Sequence, residues 1–160
     1  MNNACRAVPP VSYCVVLWGS SFEEMVAVIF VTALRQAGLP VQLIGLIGPH
    51  AAGVHGLALS PDMTLSEALP LARQTMCILI PCDPTTVCRI ENDPRICTFF
   101  AEAAMNDALF IVSDSAAMAV TSLHTLAIPP AHVVTYATHP NLIELARTVA
   151  LILQDKAQGL

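Results

Sequence analysis

Several side chains in this sequence could do chemistry if the fold brought them together. Glu23 and Glu24 stand side by side in LWGSSFEEMVAVIFV (17–31), Cys82 lies in PCDPTT (81–86), Ser113, Asp114 and Ser115 lie in FIVSDSAAM (110–118), and His139 lies in YATHP (136–140). Carboxylates, a thiol and a serine with a histidine are the parts of acid/base and nucleophilic catalysis, in which a base must reach the nucleophile at about 2.6–3.2 Å. Each also has a structural use. Acids in the first turn of a helix complement its positive end, Ser and Asp cap helices, and a small thiol packs well at a strand end.

The elements that would position these residues alternate. Strand-like runs occupy VSYCVVLW (11–18), PVQLIGLI (40–47), GLALS (56–60), MCILIP (76–81), ALFIVS (108–113) and HVVTYA (132–137). Most are continuously apolar, the pattern of a parallel sheet covered on both faces. Helical segments fill the gaps. TLSE (64–67) is a capping box, DPRICTFFAEAAM opens with Asp93 as cap and Pro94 at the first helical position, and the last helix, with Gly159 beyond its end, carries a stripe of Leu142, Leu145, Ala146, Val149 and Ile152. Strands alternating with helices imply right-handed crossovers and a three-layer α/β/α sandwich with a mostly parallel central sheet, flavodoxin-like or class I glutamine amidotransferase-like. In such a sheet the carboxyl ends of the strands form one edge, where ligands bind. The candidate residues all fall in loops leaving that edge.

Composition narrows the classes. The 160 residues are 55% hydrophobic and 12% charged, with net charge −5, against roughly 25% charged in an average soluble domain. A subunit interface would absorb part of that apolar excess. The uncharged stretches between Arg35 and Asp62 and between Asp114 and Glu144 are broken by Pro, Gly and His, so no membrane span is expected. The seven basic residues are scattered, which argues against nucleic acid as a partner. Residues 1–10 read as a disordered arm without a signal-peptide core, 11–160 as one domain, and the cytoplasm as the compartment. The six cysteines form no C-x-x-C pair, and His50 and His55 in GPHAAGVHG lack a third ligand; neither metal nor cofactor is expected.

The stretches EEMVAVIFVTALRQAGLPVQLIGL (23–46), SPDMTLSEAL (60–69), PCD (81–83) and FIVSDSAAMAV (110–120) resemble the ThiJ/PfpI superfamily, also called the DJ-one superfamily. The resemblance runs from about residue 12 to residue 120. Active members pair a cysteine at a sharp strand-to-helix turn with a glutamate from the first helix. By this resemblance the cysteine position is Ser113, or Ser115 after a two-residue slip, and the glutamate position is Val26. Glu23 and Glu24 match the family's structural first-turn acids. The glycines that follow the family's fourth strand are here Cys82 and Asp83. Family members commonly run about 30 residues longer, so His139 either matches the family histidine or precedes a last helix brought up by an internal deletion; the length and amphipathicity of that helix favour the deletion.

Two functional classes follow. One is a non-catalytic, dimeric binding or regulatory scaffold with a small-molecule ligand in the crevice, which the joint loss of cysteine, glutamate and glycines favours. The other is a hydrolase or related small-molecule enzyme with a rewired site drawn from Ser113, His139, Asp114, Cys82 and Glu23. The resemblance also implies a twofold contact through the first helix, expected at Met25, Ile29 and Phe30.

Overall fold

A computed structural model describes residues 11–159. The expected N-terminal arm lies outside the described residues. Six strands form one sheet: β1 (Tyr13–Trp18), β2 (Val41–Gly45), β3 (Met63–Thr64), β4 (Thr75–Leu79), β5 (Leu109–Val112) and β6 (Val133–Thr135). Their order is β3-β2-β1-β4-β5-β6, and every pairing is parallel. The order reverses between β1 and β4, so the loops after those two strands diverge to open a crevice.

The helices are α1 (Glu24–Gln36), α2 (Leu65–Ala68), α3 (Pro84–Ile90), α4 (Pro94–Met105), α5 (Ser115–Ala119) and α6 (Leu142–Gln158). Packing of α1 on α6 makes one layer; α4 against α2 and the 3-10 turn Leu69–Gln74, with α3 against α5, makes the other. Local signals act as expected. Thr64 and Glu67 complete a capping box, Asp93 caps α4 ahead of Pro94, and Gly159 closes α6 in the left-handed conformation.

The core is continuous across both faces. It includes Trp18 and Phe22, whose rings meet edge to face, and a second such pair, Phe100 of α4 with Phe110 of β5. Cys14 and Cys77 are paired neighbours in the buried sheet, and the Cys77 thiol is pushed up by its contact with Cys14 and by burial. Among the described residues no helix is long and apolar enough to cross a membrane.

Two expectations require correction. The run 56–60 is not a sheet strand. Leu57 and its neighbours are mostly exposed, Gly56 has φ +85°, and Ala58 makes only a single antiparallel bridge to Ala52; the outer strand is the short Met63–Thr64, beside Ile44 and Gly45. An apolar run without a sheet face to cover it gains little from extension. In α6 the buried stripe takes Leu153, while Ile152 is 54% exposed. The face centred on Ala146, Val149 and Ala150 points the next turn's Leu153 into the core and turns Ile152 outward.

Candidate functional site

The loop leaving β1 sets the two adjacent acids apart. Ser21 takes the left-handed conformation at φ +67° and its N–H donates to the Ala52 carbonyl at 3.1 Å. The Glu23 N–H then donates to the Pro81 carbonyl at 2.7 Å, tying the start of α1 to the end of β4. Glu23 occupies the N-cap position but its side chain caps nothing.

Glu24 is almost wholly buried, and its carboxylate is saturated. It accepts the backbone N–H of His55 at 2.7 Å and of Leu57 at 3.2 Å, and its other oxygen lies 3.1 Å from His55 Nδ1. Burial opposes ionisation, but the hydrogen bonds from its own helix turn, from His55 and from Leu57 outweigh it, so the pKa falls to about 2. Gly53 is required beside it, because a Cβ there would come within 2.4 Å of the Glu24 carboxyl carbon. Glu24 thus holds loop 53–57 against α1. His55 is otherwise exposed, as is His50.

Glu23 joins a different group. Beyond the named ends of β5 and β6 the ladder continues, with the Tyr136 N–H on the Val112 carbonyl at 3.0 Å and the Ala137 N–H on the Ser113 carbonyl at 2.8 Å. Ser113 is therefore opposite Tyr136. Both are only 4% exposed, and neither hydroxyl has a hydrogen-bond partner. The Tyr136 hydroxyl faces the Glu23 carboxylate without reaching a hydrogen-bonded geometry. Burial pushes the Glu23 carboxyl up, Tyr136 draws it partly back, and the Asp83 charge adds to the rise. The Tyr136 phenol is pushed up by burial and then by Glu23 and Cys82.

Cys82 completes the group from the end of β4. It is fully buried, and its thiol is pushed well up by burial first and then by the charges of Asp83 and Glu23, with Arg89 opposing. Such a thiol stays protonated at neutral pH, whereas nucleophilic cysteines have the reverse electrostatics. Asp83 is spent on α3, accepting the Thr86 N–H at 3.0 Å and the Thr86 hydroxyl at 2.9 Å.

The turn from β5 into α5 is held by Asp114, whose carboxylate accepts the N–H groups of Ala116 at 2.9 Å and Ala117 at 3.1 Å. Ser115 is the exposed first residue of α5. Asp114 has φ −155°, and the described non-glycine residues with positive φ are Ser21, Asp107 and Ala127, so the turn at 113–115 carries no left-handed strain. His139 does not meet Ser113. Its Nδ1 lies 2.8 Å from the Asn141 carbonyl and 3.2 Å from the Asn141 N–H at the start of α6.

The structure thus gathers Glu23, Cys82, Asp83, Ser113 and Tyr136 at the sheet edge and leaves His139 apart. Val26, at the position where the resemblance places a glutamate, is buried in the core. Asp83 and Tyr136 are the members that sequence reasoning missed; Asp83 was visible only as a residue at a family glycine position, and Tyr136 only as the last large residue of the sixth apolar run. Among the described residues no three His, Cys, Asp or Glu side chains are grouped to hold a metal.

The whole architecture matches solved structures of one superfamily. Toxoplasma gondii DJ-1 in its oxidised form aligns with TM-score 0.73 at 18% identity, over 92% of this chain and 95% of that one. A DJ-1 superfamily protein from Salmonella typhimurium gives 0.68 at 18% identity over 92% and 91% of the two chains. The fold is that of the DJ-1 superfamily. Drosophila melanogaster DJ-1beta aligns with 0.66 at 15% identity over 94% and 92%. No protein-family model and no curated protein matches the sequence.

Phe30 requires a correction to the expected interface. It is fully buried beneath α1 and cannot meet a partner, whereas Met25 is 71% exposed, Val28 is exposed and Ile29 is partly covered. The exposed Ile143 of α6 and the side chains of Val28 and Ile29 border one shallow depression.

Proposed function

We propose that this chain is a divergent member of the DJ-1 (ThiJ/PfpI) superfamily that works as a non-catalytic binding or regulatory scaffold in the cytoplasm. The observation that carries this reading is the β5–α5 turn: it is unstrained, its serine hydroxyl is buried without a base, and its aspartate is consumed as a helix cap. Nucleophile turns hold their reacting atom exposed on a strained elbow with a base in reach. Cys82, the one thiol in the group, is buried among carboxylates that keep it protonated. The rewired Ser113–His139 hydrolase draws no support from a histidine engaged with Asn141.

The test is chemical. Purified protein should show no turnover of methylglyoxal, and mass spectrometry after mild peroxide should find no sulfinic acid at Cys82. Robust turnover that disappears in Cys82→Ser would overturn the reading.

The scaffold is proposed to be a homodimer through the apolar outer face of α1, now without Phe30. Met25, Val28 and Ile29 leave this helix apolar toward solvent, which favours an isologous contact. Met25→Asp should release monomer in sedimentation velocity runs. A wild-type protein that sediments as a monodisperse monomer at micromolar concentration would defeat the dimer.

A further inference from the structure

A cavity lies at the same sheet edge and shares no residue with the Glu23–Cys82–Tyr136 group. It holds about 400 Å³ and opens where the loops after β1 and β4 part, the point at which the strand order reverses. Ligand sites of open parallel sheets form at this point, and small-molecule pockets begin at roughly 300 Å³.

Its lining is amphipathic. Ile47, Ile90 and Ile96 supply an apolar wall, and Ser20 and Arg89 supply polar groups on opposite sides of the reversal. Ser20 is presented by the turn at Ser21, whose positive φ is a conformation a serine adopts only when its surroundings hold it there.

The charges in the cavity do not cancel one another. Arg35, Arg73 and Arg95 each pair with a carboxylate, while Arg89 has no ion pair among the described residues. Asp93, the acid in the lining, is taken up by Arg95 and by the start of α4. Thr86 is bound to Asp83. An unpaired guanidinium beside an isoleucine wall matches a ligand with one planar anionic end and one apolar end. A single guanidinium pairs a carboxylate in bidentate fashion and balances its one charge; a phosphate dianion would leave charge unbalanced.

We propose that this cavity binds a small aliphatic carboxylate, its head on Arg89 and Ser20 and its chain along Ile47, Ile90 and Ile96. The proposal deepens the scaffold reading by giving the scaffold a ligand class, and it places that ligand away from Ser113.

Calorimetric titration of the full-length protein with the straight-chain acids from acetate to octanoate, and with the matching alkylammonium ions, at constant ionic strength, tests it. Affinity should rise roughly threefold to fourfold with each methylene until the cavity is full, and the alkylammonium ions should not bind. Arg89→Gln should weaken octanoate at least tenfold, because the charged hydrogen bonds are lost; since Arg89 is exposed and makes no internal pair, the variant should melt with the wild type. Ile47→Asp, which places a negative charge on the exposed wall, should weaken it as well, and Ser113→Ala should bind like wild type. Equal binding of acids and amines, undiminished binding by Arg89→Gln, or absence of octanoate binding at millimolar concentration would overturn the proposal. Methylglyoxal turnover would sink the scaffold reading alone and leave this cavity standing, so the two failures are told apart.

Discussion

Glu23 and Glu24 are consecutive acids at the head of one helix, yet they meet opposite environments. Glu24 is the more buried, and it is the one whose pKa falls, because two backbone N–H groups of loop 53–57 and the His55 ring converge on it. Glu23 is less buried, but its burial is offset only in part by a phenol that does not complete a hydrogen bond and is reinforced by Asp83, so its pKa rises. Burial raises both carboxyls, and the hydrogen bonds each one receives decide which way the balance falls. One acid became part of the frame, and the other was left at the sheet edge with two unpartnered hydroxyls.

The largest effect expected from disturbing this contrast comes from Gly53→Ala. The added methyl would collide with the Glu24 carboxyl and methylene carbons, and because that side chain is pinned by loop 53–57 it cannot swing aside without losing its bonds. Urea unfolding should show a loss of about 2 kcal/mol. A fully stable variant would mean that the loop and Glu24 are independent.

Glu24→Gln should come next, lowering Tm by several degrees at pH 7. The folded pKa lies below the ordinary value of 4.5, so the carboxylate's contribution is fully present above pH 4.5 and lost as pH falls toward about 2. Wild type and variant melting curves should therefore converge over that window. Curves that stay parallel down to pH 2 would show that the hydrogen bonds do not depend on charge.

For Glu23→Gln the sign reverses. A raised folded pKa means the native state holds its proton more tightly than the unfolded chain, so the penalty is absent below pH 4.5 and grows as pH rises through the folded value. The amide should match wild type at pH 4 and be more stable at pH 7 by a fraction of a kcal/mol, since Glu23 is partly exposed and solvent screens it. A less stable variant at pH 7 would show that the Glu23 charge has a partner in solution.

The smallest effect belongs to Ser113→Ala. Its hydroxyl is buried without a partner and Asp114 does the capping, so chemical denaturation should find it neutral within about 0.5 kcal/mol. A loss above 1 kcal/mol would mean that a water or ligand occupies the hydroxyl.

Much of the frame was legible in the sequence because it rests on local physics. Continuous apolar runs announced strands buried on both faces, the capping box at Thr64 and the Asp93–Pro94 start marked helix ends, and Val26 and Cys82 were visible as apolar or weakly ionisable residues where chemistry would need charge. Run 56–60 misled because apolar composition says nothing about whether a neighbouring strand is free to pair, and Phe30 misled because a helix that is apolar all round does not reveal which side the sheet covers.

What the sequence by itself determined is the alternation of strands and helices, their ends, and the residue types available at the sheet edge, all set by periodicity and by backbone groups seeking partners within a few residues. Only the tertiary structure decided that Glu24 meets His55 and Leu57, that Ser113 stands opposite Tyr136 while His139 turns away to Asn141, and that Arg89 shares a cavity with Ser20. Apart from the local His139–Asn141 contact, those meetings join residues tens of positions apart, and burial, hydrogen bonding and charge depend on distance in space, which chain order does not encode.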